Sequence, residues 1–172
     1  MIRKFLLGSL CVLSFASPAY ADAANLLGVF GNWSAYSTGT GSNKTCYIMT
    51  QPRAVQPKDA NRGDIYLMVS DWPSRKVKSE PEIVPGYPYR SGVPVTLEIG
   101  SARFTFFSRN DGDHGTAWLK SLSDNQRLID AMKKGITAVA RGTSTRGTKT
   151  VDTYSLAGFT NALAKIHATC KM

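Results

Sequence analysis

Apolar and polar residues alternate along most of this chain, and a period of two marks a strand with one buried face. Asn25 to Phe30 reads as a lead-in, and a first strand starts at Gly31-Asn32-Trp33 and runs through Tyr36. The TGTGSN cluster from Thr38 to Asn43 is a turn. Lys44 to Gln51 is a second strand, with Cys46, Ile48 and Thr50 on one face. Pro52 to Arg62 reads as a polar loop. Asp64 to Asp71 is almost continuously apolar, as expected for a strand buried on both sides or in a sandwich core. Ser74 to Tyr89 carries Pro81, Pro85 and Pro88, which cannot donate to a ladder, so an edge strand or loop is expected there. Val93 to Ile99 and Ala102 to Ser108 form a hairpin about Gly100-Ser101. Asn110-Asp111-Gly112-Asp113 is a second hairpin turn, leading into a strand from Gly115 to Lys120.

The period changes twice. Ser123 to Lys134 predicts a helix, with Ser123 and Gln126 as a capping box and Gly135 as a left-handed stop. Ile136 to Arg141 and Thr148 to Tyr154 then form a strand pair around a Gly142–Gly147 turn. With Ser155 as N-cap, Leu156, Phe159, Leu163, Ile166 and Cys170 follow at helical spacings of three and four, which places Cys170 on the apolar stripe. Many short strands and two short helices indicate a mainly β fold: an antiparallel β-sandwich or barrel-like domain whose second helix closes the C-terminus.

The first residues do not fit this pattern. Arg3 and Lys4, the apolar run Phe5–Ala16 and the exit Ala19-Tyr20-Ala21 make the three parts of a secretory signal peptide. Residues 1–21 are therefore expected to be removed, leaving 22–172 as a single domain. The apolar run is too short for an ordinary membrane-spanning helix, and no later stretch is apolar enough, so no transmembrane span is expected in the mature protein. Loss of Arg3 and Lys4 lowers the formal charge from +9 to +7. A basic surface favours anionic partners such as lipid head groups, polyanionic glycans or acidic proteins, or serves only solubility. Nucleic acid is not expected, since no binding motif is present. Cys11 leaves with the leader, and two cysteines remain for an oxidising compartment. A Cys46–Cys170 disulfide is the default pairing, with two buried free thiols as the alternative.

Few residues suggest chemistry. A Cys/His nucleophile would need Cys46 or Cys170 exposed beside His114 or His167, and one disulfide would consume both thiols. Ser155 lacks the flanking glycines of a nucleophile elbow. Asp111, Asp113 and His114 are too few for calcium or zinc, and a hairpin turn accounts for them; no metal and no cofactor are expected. Trp33, Trp72 and Trp118 suit core packing better than a sugar-stacking face. Arg146 stands out in its Gly-rich turn. It can hold an anion bidentately, with turn amides assisting and Arg141 and Lys149 nearby, or it can pin the turn to carbonyls or to Asp152.

Several short motifs in order resemble the invasion-associated locus B (IalB-type) family, a secreted family of alphaproteobacteria. They are Phe30-Gly31-Asn32-Trp33, Cys46-Tyr47-Ile48, Ala117-Trp118 and Ala131-Met132-Lys133-Lys134-Gly135. The strongest are Gly142-Thr143-Ser144 with Arg146-Gly147-Thr148, then Asp152-Thr153-Tyr154-Ser155-Leu156 with Gly158-Phe159, and the closing Cys170. Asn32 stands where the family usually has an acid. The resemblance implies a β-rich periplasmic or envelope protein without an established catalytic activity, linked in some members to host-cell invasion. The leading expectation is a non-enzymatic protein that binds an envelope or host partner. A structural or chaperone-like envelope factor is the second reading. A hydrolase is the third, and would need a polar pocket gathering His114 with acids and a serine.

Overall fold

Two apolar faces seek each other in this chain, and one long strand joins them. A computed structural model describes residues 23–172 and identifies the elements. In chain order they are β1 (Asn25–Phe30), β2 (Trp33–Thr38), β3 (Thr45–Thr50), β4 (Ala54–Gln56), β5 (Tyr66–Trp72), β6 (Val77–Val84), β7 (Val95–Ile99), β8 (Ala102–Asp111), β9 (His114–Trp118), α1 (Leu122–Lys134), β10 (Thr137–Thr143), β11 (Lys149–Ser155) and α2 (Phe159–Cys170). The strands form one antiparallel sheet in the order β1-β2-β3-β5-β6-β9-β8-β7-β10-β11-β4. The sheet does not close, because β1 and β4 remain its two edges, so the fold is sandwich-like rather than a barrel.

The strand β8 turns the corner. Its first half, Ala102 to Phe106, pairs with β7, and its second half, Phe107 to Asp111, pairs with β9. The two halves of the sheet thereby share one core. Trp33, Ile48, Leu67 and Ile83 enter it from one side and Leu97, Ala138, Ala140 and Tyr154 from the other. Alternation in each strand supplies these inward positions. The helix α2 lies on the inner face of β2 and β3, where Phe159 meets Trp33 edge-on at 5.1 Å. The Trp33 indole also donates to the Ser155 carbonyl at 3.0 Å, tying β2 to the end of β11. Cys46 and Cys170 form a disulfide with Cα atoms 6.1 Å apart. It pins the last residue of α2 to β3 and closes a separation of 124 residues, a constraint of about 5 kcal/mol in the chain-entropy account.

Several local expectations are corrected. The lead-in Asn25–Phe30 is a strand, because it pairs with β2 along its length. The Pro52–Arg62 loop holds β4, which pairs with β11. The Ser74–Tyr89 segment is not an edge: β6 lies between β5 and β9. Pro81 is tolerated there because β9 pairs only with Glu82 and Ile83, so the ladder on that side stops just short of the proline. The first helix starts two residues earlier than its capping box suggested. Ser121 is the N-cap and accepts from the Asp124 N–H at 3.1 Å. Gly135 is extended rather than left-handed (φ −83°, ψ 166°). Its need for no side chain is steric, since a Cβ would come within 2.5 Å of Ile99 Cγ2 and 2.9 Å of Leu156 Cδ1. Ser155 does not cap α2. Gly158 does so at φ 91°, in a left-handed conformation that a Cβ would strain while driving it into the Phe30 carbonyl. The leader reading of residues 1–21 lies outside the described residues. Among those, no helix is long and apolar enough to cross a membrane.

Candidate functional site

The polar chemistry of the interior gathers around a buried ion pair. On β11, alternation turns Thr150, Asp152 and Tyr154 inward. A carboxylate at such a position must find a cation or hydrogen-bond donors. Arg62 arrives from the loop before β5 and binds Asp152 in a fork, Nη1 to Oδ1 at 2.7 Å and Nη2 to Oδ2 at 2.6 Å. Both side chains are almost fully buried, at 4% and 3% exposure. The remaining edge of the guanidinium donates to the Pro85 carbonyl through Nε and Nη2. Its face lies 5.1 Å from the Tyr87 ring centre, and the Tyr87 hydroxyl bonds Thr150 Oγ1 at 2.6 Å. Burial lowers the Arg62 pKa, but the hydrogen bond and charge of Asp152 more than reverse that. Burial raises the phenols of Tyr89 and Tyr154 well above their ordinary value. The cluster is satisfied by itself, except that the buried Tyr154 hydroxyl has no hydrogen-bond partner among the described residues.

Above this pair is a cleft of about 380 Å³ whose lining includes Asn61, Arg62, Tyr87, Ser144, Arg146 and Thr150. Arg146 sits on its rim and donates through Nη2 to the Asn61 carbonyl at 3.0 Å. It does not reach Asp152 as a partner, because Arg62 holds both carboxylate oxygens. The turn amides are engaged internally: Ser144 N donates to Thr148 O, Thr145 N to Pro88 O, Gly147 N to Ser144 O and Thr148 N to Ser144 Oγ. Arg141 lies on the outer face of β10, where it meets Glu98 at 3.4 Å. Lys149 is exposed opposite Thr143, so Arg141 and Lys149 stand diagonally on one face while Arg146 turns away toward the Asn61 loop.

A second cluster joins α2 to the sheet. His167 Nε2 bonds Ser79 Oγ at 2.9 Å, and Ser79 N donates to Asp71 Oδ1 at 2.9 Å. The same Asp71 oxygen lies 3.6 Å from His167 Nε2. Serine, histidine and aspartate in contact invite comparison with a hydrolase triad. In a triad, however, the acid holds Nδ1 and leaves Nε2 for the serine. Here the hydroxyl and the carboxylate meet the same nitrogen, so the acid does not set the tautomer that a general base requires. Ser79 is also buried and held at φ 55°. Burial raises Asp71 to about 6, against the Ser79 N–H and the charge of Lys78, which lower it. Burial, then Lys78 and Lys133, lower His167 to about 4. The cluster fixes the helix beside the disulfide, since His167 is one turn before Cys170 and Cys46 pairs with Asp71.

The other marked residues are dispersed. His114 is exposed and pairs with Asp111 across the Gly112-Asp113 turn. Trp33 is core. Trp72 lies under the Arg75 guanidinium at 4.4 Å, and Trp118 lies against Phe107 at 5.9 Å on the outer face of the sheet. Arg62 escaped sequence reasoning, because nothing near it in the chain indicates a partner 90 residues away. Asp152 carried a signal, an acid on the inward face of a strand.

These features define a disulfide-clamped, antiparallel sandwich-like protein with two helices, whose buried polar clusters serve to hold elements together. The model of the family described as "Invasion associated locus B (IalB) protein" matches residues 33–167, and the chain belongs to that family. Among solved structures, the fold is similar to invasion associated protein b from Bartonella henselae. The match has a TM-score of 0.57 at 16% identity and covers 87% of this chain and 99% of the other. No curated protein matches the chain.

Proposed function

We propose that this is an exported, non-enzymatic IalB-type protein of the periplasm or envelope that binds an envelope or host partner through the cations around the β10–β11 turn. The observation that carries the reading is the cleft rim itself. Arg146 uses one nitrogen on the Asn61 carbonyl and stays exposed, with Arg141 and Lys149 on the adjoining face. A guanidinium with free donors suits carboxylate or phosphate groups, and the excess of basic residues in the whole chain favours an anionic surface. Export is supported by the buried Cys46–Cys170 bridge, which suits an oxidising compartment. A link to host-cell invasion is carried over from the family description alone.

The test compares mature wild-type protein with an Arg141→Gln/Arg146→Gln/Lys149→Gln variant as bait in envelope extracts, with crosslinking and mass spectrometry. Partners captured by the wild type and lost from a folded variant are the expected result. Equal capture by both, or nothing above background for either, would sink the proposal.

A further inference from the structure

The sheet has an uncovered outer face, and its composition is unusual for one turned to water. Antiparallel sheets with one packed face normally alternate toward polar residues on the other. Here the strand registers align Ser34, Met49, Met68, Glu82, Trp118 and Phe107 in one row across β2, β3, β5, β6, β9 and β8. The edge strand β1 extends it with Val29, opposite Ser34. Seven strands at their usual spacing make this row about 29 Å long. A second row beside it runs through Leu26, Tyr36, Tyr47, Ser70 and Glu80. Tyr36 and Tyr47 stack at 5.2 Å within it. Leu26 is 53% exposed, Val29 64% and Phe107 37%. Both helices lie on the other side: α2 is bonded to Cys46, on the opposite side of β3, and Arg127 of α1 reaches over Phe104, on the buried side of β8.

The charge on the two rows is the reverse of the molecule's. Their only ionisable acids are Glu80 and Glu82, and among the described residues neither row contains a lysine or arginine. Glu80 is paired with Arg75 at 3.0 Å, whereas Glu82 has no ion-pair partner among the described residues. Glu82 stands between Met68 and Trp118 and accepts a hydrogen bond from the Trp118 side chain, so a carboxylate and an indole are in contact at the centre of an apolar band. That pairing is suited to a cation, by charge and by the ring quadrupole together. Methionines beside it give a surface that adapts to apolar side chains. A second copy stacked with its two-fold axis at the centre of the band would oppose Glu82 with Glu82, and an anionic membrane would meet the same carboxylate.

We infer that this outer face docks a protein segment that brings apolar side chains around a central lysine or arginine, the cation closing on Glu82 and the Trp118 ring. The surface is separate from the basic rim, so either can fail without the other.

Methionine methyl resonances provide a local test on the intact, disulfide-bonded mature protein. Met49 and Met68 lie on the face, whereas Met132 is in the core. The probe is a short synthetic peptide alternating leucine and lysine, with the same peptide carrying glutamate for lysine as its control. The lysine peptide is expected to shift the Met49 and Met68 methyls while Met132 stays in place. Glu82→Gln should weaken that binding about tenfold, as loss of a partly desolvated charge pair does, with an unchanged Met132 signal reporting an intact core. No shift at millimolar peptide overturns the inference, as does equal binding by Glu82→Gln or an equal response to the glutamate peptide. Shifts of Met49 and Met68 that follow protein concentration alone would also overturn it and assign the face to a second copy.

Discussion

Asp71 and His167 should give this protein two opposed pH dependences that nearly cancel until one partner is removed. Asp71 is fully buried, with Oδ2 unpartnered among the described residues, and its pKa rises from 3.8 to about 6. A raised acid favours the folded state below the unfolded pKa and loses that contribution as pH climbs through the folded one. The shift of roughly two units corresponds to about 3 kcal/mol, lost between pH 4 and 6 on the way up. His167 falls from 6.5 to about 4. A depressed base contributes stability above its unfolded pKa and loses it as pH falls, again about 3 kcal/mol over nearly the same interval. The titratable and charged neighbours are Lys78 on β6 and Lys133 on α1, and both disfavour the charged imidazole. In the wild type the two slopes offset. Asp71→Asn removes one, so this variant should lose about 3 kcal/mol relative to wild type between pH 6.5 and 4. His167→Gln, which keeps a group able to bond Ser79, should gain a similar amount relative to wild type over the same range. Urea unfolding of the disulfide-intact protein at pH 7, 6, 5 and 4, followed by tryptophan fluorescence, reads both differences. With a slope of about 2 kcal/mol per molar urea, 3 kcal/mol moves the midpoint by about 1.5 M. Differences from wild type that are flat with pH, or that have the same sign in both variants, would refute the reasoning.

Two further outcomes test the clamps that hold the fold. Arg62→Met leaves the Asp152 carboxylate buried without its fork and should cost about 3–5 kcal/mol, a fall in Tm of about 12 °C for a domain of this size; Arg62→Met/Asp152→Leu should recover most of that loss, and a double variant as unstable as the sum of the singles would show that the pair is not coupled. Cys46→Ala/Cys170→Ala should destabilise by up to about 5 kcal/mol in denaturant titrations, with thiol labelling of the native wild type negligible without reductant.

Most of the strand content was readable because period two is a local property. Cys46, Ile48, Val95, Leu97, Phe104 and Phe106 fall on the buried faces that alternation assigns them. The errors arose where a neighbour in space decided the outcome. Pro81 reads as an edge signal, yet it sits inside the sheet because β9 happens to end beside it. Gly135 reads as a helix stop, yet Ile99 and Leu156 are what exclude a side chain there. The N-cap is Ser121 rather than Ser123 because two serines in one turn can each offer an oxygen, and it is the Ser121 hydroxyl that accepts from the Asp124 N–H. The marked cations divide in the same way. Arg146 was visible from its turn, but its acceptor is Asn61, and Asp152 belongs to an arginine from a different loop.

Alternation, turn residues and the placing of Cys46 and Cys170 pointed to most of the secondary structure, to the clamp as the default pairing and to the family, since each depends on residue identity at short range or on order along the chain. The tertiary structure decided how eleven strands are ordered, that Arg62 answers Asp152, that Ser79 and Asp71 share one nitrogen of His167, and that Met49, Met68, Glu82, Trp118 and Phe107 align across separate strands. Those relations depend on strand register and on contacts between residues tens of positions apart, which no local pattern encodes.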